Sequence, residues 1–371
     1  MNGDLQHLLA LLNIKGIGSA TTRQLIEQFG SAKDVLEARV SDLSNIGNIG
    51  ELVLSNRSDP AIMARAEAEI EFIEKNNIQS LIYGQKGYPH RLLDCPDAPE
   101  VLFKLGSADL DSKHIISIVG TRSCSQYGRD NVSRFVEDIS HALPDTIIVS
   151  GLALGIDISA HEASLTNHLT TAGVVAHGLD TIYPYVHRSI ASKIVSESGC
   201  LVTEYPSHTT PERGNFIARN RIIAGLADAV VIAESKDKGG SLVTASIALD
   251  YGRDVFAFPG RVNDRLSEGC NRLIRLNRAG LITSANDFLE AMNWTSNTTS
   301  RKSVQHTIDF DDNLSSTEHT IIDTLRQRGD LRLNQISIIT HIEPILLNEA
   351  LLNLELSGKV RNIAGGLYQL R

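Results

Sequence analysis

The spacing of hydrophobic positions changes character along this chain. Up to about residue 80, Leu and Ile recur at helical intervals in short stretches punctuated by Gly, which predicts an all-helical region. From about 81 to 293 the pattern alternates. Short Val/Ile-rich runs at 115–119, 146–149, 171–175, 200–203, 229–233 and 254–258 are expected as strands. Helical periodicity falls between them, at about 127–143, 156–166, 187–198, 217–227 and 241–251. Runs that are apolar at every position suit strands covered on both faces of a parallel sheet. The alternation implies right-handed βαβ crossovers, and hence an α/β fold with an extended Rossmann-like doubly wound sheet. Residues 294–313 (WTSNTTSRKSVQHTIDFDDN) cluster Ser, Thr and Asn without periodicity and read as a linker.

The two ends carry smaller modules. In 1–80, Ile14-Lys15-Gly16-Ile17-Gly18 opens a helix near Ala20, and Asn45-Ile46-Gly47-Asn48-Ile49-Gly50 repeats the pattern. Such a turn between helices resembles the helix-hairpin-helix (SAM-like) motif, whose backbone N–H groups can meet a phosphate. Glu51 follows the second copy and little positive charge accompanies it, which argues against DNA contact there. The segment 314–371 starts a helix at Ser316-Thr317-Glu318, continues in two or three short helices, and ends in two short strands around Gly365-Gly366. That order resembles a winged helix. Glu343, Glu349 and Glu355 near its expected recognition helix favour a protein contact over DNA.

Composition narrows the class. The chain has 371 residues, 42% hydrophobic and 21% charged, as in soluble globular proteins of two or three domains. Cys95, Cys124, Cys200 and Cys270 form no CxxC pair or Cys/His metal spacing, so reduced thiols of a cytoplasmic protein are expected, with no metal. MNGDLQHLLALLN has no basic leader and no run approaches membrane-spanning length, so neither a signal peptide nor a membrane partner is expected. A net charge of −9 argues against coating nucleic acid through global charge. The arginines are uneven, however: Arg213, Arg219 and Arg221 sit together, and Arg261, Arg265, Arg272, Arg275 and Arg278 form a second group.

In open α/β sheets, ligands bind beyond the carboxyl ends of the strands. Those ends supply Gly120-Thr121-Arg122-Ser123, Ser150-Gly151-Leu152-Ala153-Leu154-Gly155-Ile156-Asp157, His177-Gly178-Leu179-Asp180, Glu204-Tyr205-Pro206, Lys236-Asp237-Lys238-Gly239-Gly240-Ser241 and Pro259-Gly260-Arg261. After the fourth comes Arg213-Gly214-Asn215-Phe216-Ile217-Ala218-Arg219-Asn220-Arg221. Its aromatic ring can stack on a base and its guanidinium groups can pair with phosphate. Taken alone, the run reads as a helix cap with solvated arginines. Set beside two glycine-rich turns carrying Arg122 and Lys238, it describes a polyanion site along one sheet edge.

No G-x-G-x-x-G fingerprint or P-loop is present, so no nucleotide cofactor is expected. Asp157 and His161, four apart, could form a base and its orienter, but such pairs more often hold a helix face. Glu204 and Glu234 could face the cleft without forming a carboxylate pair, and His177, His187 and His208 read as structural. No catalytic residue is assigned. The competing reading is a Rossmann-type nucleotide phosphoribohydrolase-like enzyme with an Arg-Asn plus Gly-Gly-x-x-Thr phosphate site. That chemistry needs a carboxylate soon after the glycine turn, where this chain has Ser241-Leu242-Val243-Thr244-Ala245-Ser246-Ile247-Ala248-Leu249.

The motifs IVGTRSCSQYG (118–128), SGLALGIDISAH (150–161), TEYP (203–206), NFIARNRIIAGLAD (215–228), KGGSLVTA (238–245), FPG (258–260) and EGCNRLI (268–274) occur in the order found in one family. With them the chain resembles the DprA/Smf family of bacterial DNA-processing proteins over nearly its whole length. The resemblance implies a homodimer that binds single-stranded DNA, protects it, and loads the RecA recombinase during natural transformation and recombination. It implies DNA contact by Arg122 and by 215–221, with Lys238, Gly239, Gly240 and Ser241 as a further contact. Gly120, Thr121, Ser150, Gly151 and Arg213 complete the expected site. The chain departs from the family at Ile217, where proline is usual, at Thr121, where Ser or Ala is common, and at Leu154, where a basic residue is often found.

Overall fold

The computed structural model describes residues 2–294, 314–363 and 366–370. All but the first residue of the expected linker lies outside the described residues, as does Gly365. The chain divides into two compact units, Met1–Thr295 and Ser296–Arg371.

The first unit opens with six helices: α1 (Asn2–Leu12), α2 (Ser19–Phe29), α3 (Ala32–Glu37), α4 (Val40–Ser44), α5 (Asn48–Asn56) and α6 (Pro60–Lys75). Gly16 and Gly47 adopt positive φ (94° and 68°) just ahead of α2 and α5, which is why glycine punctuates both turns. Then follow β1 (Gln79–Ile82), α7 (His90–Leu93), β2 (Val101–Gly106), β3 (Ile115–Val119), α8 (Gln126–Ala142), β4 (Ile147–Ser150), α9 (Ile156–Thr166) and β5 (Thr170–Val174). The remainder is α10 (Arg188–Ser196), β6 (Cys200–Thr203), α11 (Arg213–Leu226), β7 (Ala229–Ile232), α12 (Gly240–Asp250), β8 (Asp254–Ala257), α13 (Glu268–Arg275), β9 (Gly280–Leu281) and α14 (Ala285–Ala291).

These strands form one sheet in the order β1-β2-β6-β5-β4-β3-β7-β8-β9. From β6 to β9 it is parallel, and β1 and β2 extend it antiparallel beyond β6. The six expected strands are all present to within a residue or two. The unexpected ones are short or of mixed polarity. In β2 the charged Lys104 is buried and donates from Nζ to the Ala108 carbonyl (2.8 Å), so its sequence does not look like a core strand.

One sheet face packs Val149, Val174, Val202, Val230 and Ile232 under Ile222, Ile223 and Ala245 of α11 and α12. The other packs Ile116, Ile118, Ile148 and Val231 under Val132, Phe135 and Val136 of α8, with Phe288 of α14. The N-terminal helices gather Leu8, Leu11, Val53 and Ile73 around Val101 and Phe103 of β2. The chain winds outward from β3 to β6 and then returns beside β3 as β7. That reversal is the topological switch point, where open sheets present a ligand crevice.

A buried polar clamp fixes the strand ends near that crevice. Arg219 of α11 is 3% exposed and donates from Nη1 to the carbonyls of Gly151 (2.8 Å) and Val174, at the ends of β4 and β5. Asp157 stands beside it: burial pushes its carboxyl above the ordinary range, opposed by Arg219 and by the backbone N–H groups of Ala153 and Gly151. Burial also lowers Arg219 to about 10, so it stays charged at neutral pH. A Cβ on Gly151 would come within 2.6 Å of both the Arg219 guanidinium and the Asp157 carboxylate, so only glycine fits there.

The second unit contains α15 (Ser316–Arg328), β10 (Leu331–Arg332), α16 (Leu333–Thr340), α17 (Pro344–Leu356), β11 (Val360–Ile363) and β12 (Leu367–Leu370). Ser315 and Glu318 form a reciprocal capping box at the start of α15. Ile321, Leu325, Ile336, Leu347, Leu351 and Leu354 make the core, and the small sheet has the order β10-β12-β11, as a winged helix requires. The outer side of α17 exposes Ile345, Glu349, Leu352 and Leu356, and the helix contains no Lys or Arg. It is poorly suited to a phosphate backbone. No helix among the described residues is long and apolar enough to cross a membrane.

Two predictions follow from the buried groups. Arg219→Met leaves the Asp157 carboxylate buried without its cation, and should destabilise the chain by about 3–5 kcal/mol in urea unfolding. Asp157→Asn added to it should recover part of that loss. The second concerns His161, whose pKa burial lowers to about 3. Below the unfolded value of about 6.5, the unfolded chain binds a proton that the folded chain refuses, so this group's contribution falls as pH drops from about 6.5 toward 3. Between pH 6.5 and 5 the chain should lose about 1–2 kcal/mol more than His161→Gln does.

Candidate nucleic-acid interface

At the switch point an open groove of about 820 Å³ lies beyond the ends of β3 and β7. Its floor is backbone. Gly120 and Thr121 leave β3, where the Thr121 N–H donates to the Glu234 carbonyl (2.8 Å) and its own carbonyl accepts from Ile156 N–H (3.2 Å). The loop is therefore tied to both β7 and α9, and Arg122 projects from it. On the other side, Gly239 and Gly240 start α12 without a side-chain cap. Its first residues line the groove, and an uncapped helix start favours an anion.

Phe216 of α11 supplies the ring. The Arg122 guanidinium lies 5.1 Å from its centroid and that of Arg219 5.9 Å, while the Tyr183 ring stands 5.7 Å away, inclined at 54°. Arg122, Lys236 and Lys238 are exposed, and among the described residues none of their side chains has a hydrogen bond or ion pair. Three unpaired cations around an aromatic pair provide charge for phosphates and a face for a base.

The structure brings together Gly120, Thr121, Arg122, Arg213, Phe216, Arg219, Asn220, Lys238, Gly239, Gly240 and Ser241 of the expected set. The Ser241 hydroxyl donates to Ser235 Oγ (2.9 Å), so its first role is to brace the turn. Four expected residues do not line the groove. Ser150 is fully buried and donates to the Ile118 carbonyl (2.6 Å). Gly151 holds the clamp. Asn215 donates from Nδ2 to the Thr210 carbonyl (3.3 Å). Arg221 pairs through Nη2 with Glu204 (2.6 Å) and lines a separate cavity of about 430 Å³ against the N-terminal helices, with Leu12, Ile17 and Phe103.

The fate of Arg219-Asn220-Arg221 follows from helix geometry. The helix starts at Arg213, after Pro211 and an extended Glu212, rather than at 217 as its sequence suggests. Successive residues then point about 100° apart. Arg219 turns into the clamp, Asn220 faces the groove, and Arg221 turns toward Glu204. The two arginines expected to meet phosphate are thus largely spent inside the protein.

Tyr183, 47% exposed, was not among the expected residues, because it lies three residues beyond Asp180 with no motif around it. Its backbone N–H donates to Nε2 of buried His177 (3.2 Å), whose Nδ1 donates to the Gly178 carbonyl (2.8 Å). Burial holds His177 below its usual pKa, so the neutral ring can accept that bond. A structural histidine therefore sets an aromatic of the groove.

The acid–base pairing of Asp157 with His161 is absent: His161 Nδ1 bonds Thr171 Oγ1 (2.7 Å), and Asp157 faces Arg219. Glu234 accepts from the Ser125 N–H (2.8 Å) and hydroxyl at the start of α8, and Glu204 is engaged with Arg221. Among the described residues no cluster of His, Cys, Asp and Glu is placed to hold a metal ion.

Known proteins share this fold. The pattern of the DNA recombination-mediator protein A family matches residues 79–293, and that of the SAM-like helix-hairpin-helix tandem matches residues 8–52. The chain is 35% identical to Protein Smf of Synechocystis sp. over 297 residues, covering 78% of this chain and 73% of that one. The crystal structure of DNA processing protein A from Streptococcus pneumoniae superposes with a TM-score of 0.63 at 32% identity, over 77% of this chain and 97% of that one. DNA processing protein A from Helicobacter pylori, whose structure was described for its single-stranded DNA binding mode, superposes with a TM-score of 0.53 at 28% identity, over 58% and 96%. Together the fold, the groove at its switch point and the matched region show that this chain belongs to the DNA recombination-mediator protein A (DprA/Smf) family.

Proposed function

We propose that this chain binds single-stranded DNA in the groove at the β3/β7 switch point and acts there without catalysis, as a recombination mediator. In this reading it is a cytoplasmic homodimer that protects incoming strands and loads RecA on them during natural transformation. The region 81–293 is the DNA-binding domain. Residues 1–80 form the helix-hairpin-helix module, 294–313 the linker and 314–371 the winged helix.

The observation that carries the reading is the unpaired Arg122 guanidinium 5.1 Å from the Phe216 ring, across from Lys238 and the open start of α12. Phosphate can pair with the cations while a base stacks on Phe216 or Tyr183, which suits an unpaired strand and gives a duplex nothing to stack. The Helicobacter pylori relative, described for single-stranded DNA binding, supports the ligand class. Among the groove residues the carboxylate is Asp157, turned to Arg219, which leaves no obvious base for glycosidic cleavage.

Arg122→Ala should weaken binding of a labelled oligothymidine by about tenfold or more, the cost of losing a charge-assisted phosphate bond. The slope of log affinity against log salt should fall by about 0.7. Phe216→Ala should cost about 1–3 kcal/mol if the ring stacks on a base. Arg221→Ala should destabilise the fold but leave the affinity of the folded protein unchanged. Full affinity in both Arg122→Ala and Phe216→Ala would refute the assignment.

A further inference from the structure

The loop between β8 and α13 holds two arginines and a valine in water without an internal reason. Val262 is 88% exposed, and Arg261 and Arg265 are exposed with no hydrogen bond or ion pair from their side chains among the described residues. The loop is nevertheless firmly built. Asn271 grips both backbone groups of Gly260, accepting from its N–H (3.1 Å) and donating to its carbonyl (3.0 Å). Asp264 accepts from Leu266 N–H (3.0 Å) and lies 3.3 Å from the Ser267 hydroxyl, while its own N–H donates to the Arg261 carbonyl (3.0 Å). Ordering a turn has an entropic cost, and here it orders one that presents two free cations.

Its place in the sheet gives the loop a direction. β8 lies next to β7, which lies next to β3, so the loop continues the row of strand ends that carries Arg122 and Lys238. Two contacts hold it there. The Tyr127 hydroxyl, on the helix after the Arg122 loop, donates to the Pro259 carbonyl (2.7 Å), and Gly269 N–H donates to the Ser235 carbonyl (2.8 Å). Nearby acidic groups are largely occupied. Asp237 pairs with Arg272 (2.7 Å), and Asp264 is bound within the loop, leaving the exposed Glu268. On the β4 side, by contrast, the exposed loop residue is Leu154.

We propose that the loop 259–266 is a second segment of the DNA path, where Arg261 and Arg265 receive phosphates of a strand that leaves the groove toward β8. This rests on the groove reading above and adds to it the direction of the path along the sheet edge and a longer site. Adjacent strands in a sheet are about 4.8 Å apart, so the loop lies one to two strand spacings beyond the groove, within reach of a continuous oligonucleotide.

The test uses the full chain and fluorescence anisotropy with two labelled oligothymidines. One is just long enough for the groove, roughly six nucleotides, and the other roughly twenty, near the lower end and beyond the upper end of the roughly 4–16 nucleotides covered by an oligonucleotide-binding fold. The double variant Arg261→Ala/Arg265→Ala should bind the short strand like the unaltered chain. It should bind the long one about 5–20-fold more weakly, with the salt slope reduced by about 1.4 for two phosphates. Arg261→Lys/Arg265→Lys should restore the long-strand affinity. Unaltered long-strand binding by the alanine variant, or an equal loss at both lengths, overturns the proposal. So does a change in sedimentation without DNA, which would assign the loop to a contact between copies. If the extension fails while Arg122→Ala still loses both lengths, the groove stands; if the unaltered chain binds neither length, the groove itself is wrong.

Discussion

The groove depends on a guanidinium that does not reach solvent. Arg219 draws the carbonyl ends of β4 and β5 together and balances Asp157, and its charge lies 5.9 Å from the ring that the groove exposes. A strand end is otherwise a soft place, because its carbonyls have left the ladder and its loop is free to move. A single nitrogen, Arg219 Nη1, donates to both carbonyls, so one buried guanidinium holds two such ends at once. Removing it would leave a buried carboxylate and loosen the loop that begins at Gly151.

This arrangement separates what a linear sequence reveals from what it hides. Six of the seven parallel strands were legible because their runs are mostly apolar, and the doubly wound sheet followed from their alternation with helices. The outer strands β1, β2 and β9 were not, since short pieces with Lys104 or a two-residue ladder carry little periodic signal. Within the site, loops were easier to read than directions. Arg122 and Lys238 stand on turns that project from the sheet, so their chemistry and their exposure agree. Arg219 and Arg221 sit on a helix, two residues and so about 200° apart. One turns into the clamp and the other to its ion pair with Glu204, a difference of direction that residue types alone do not show. Tyr183 had no motif to announce it, and its role follows from a bond to buried His177.

The charge distribution resolves an apparent conflict. A chain of net charge −9 repels DNA as a whole, yet screening limits that repulsion to about a Debye length, roughly 8 Å at physiological salt. Within that range the proposed site offers Arg122, Lys236 and Lys238, and the carboxylates beside them are buried, paired or used as caps. Acidic residues outside the groove then disfavour non-specific adhesion. Net charge and local function are independent quantities here.

The central claim is that this edge of the sheet receives an unpaired strand through phosphate pairing and base stacking together. The most direct measurement is a titration of the whole chain with an oligonucleotide, single-stranded and then annealed to its complement, at two salt concentrations. The account predicts tighter binding of the single strand at both, with affinity that falls as salt rises but a preference for the unpaired form that persists. Equal affinity for both forms, with the difference in binding free energy vanishing at the higher salt, would show charge alone at work and contradict it.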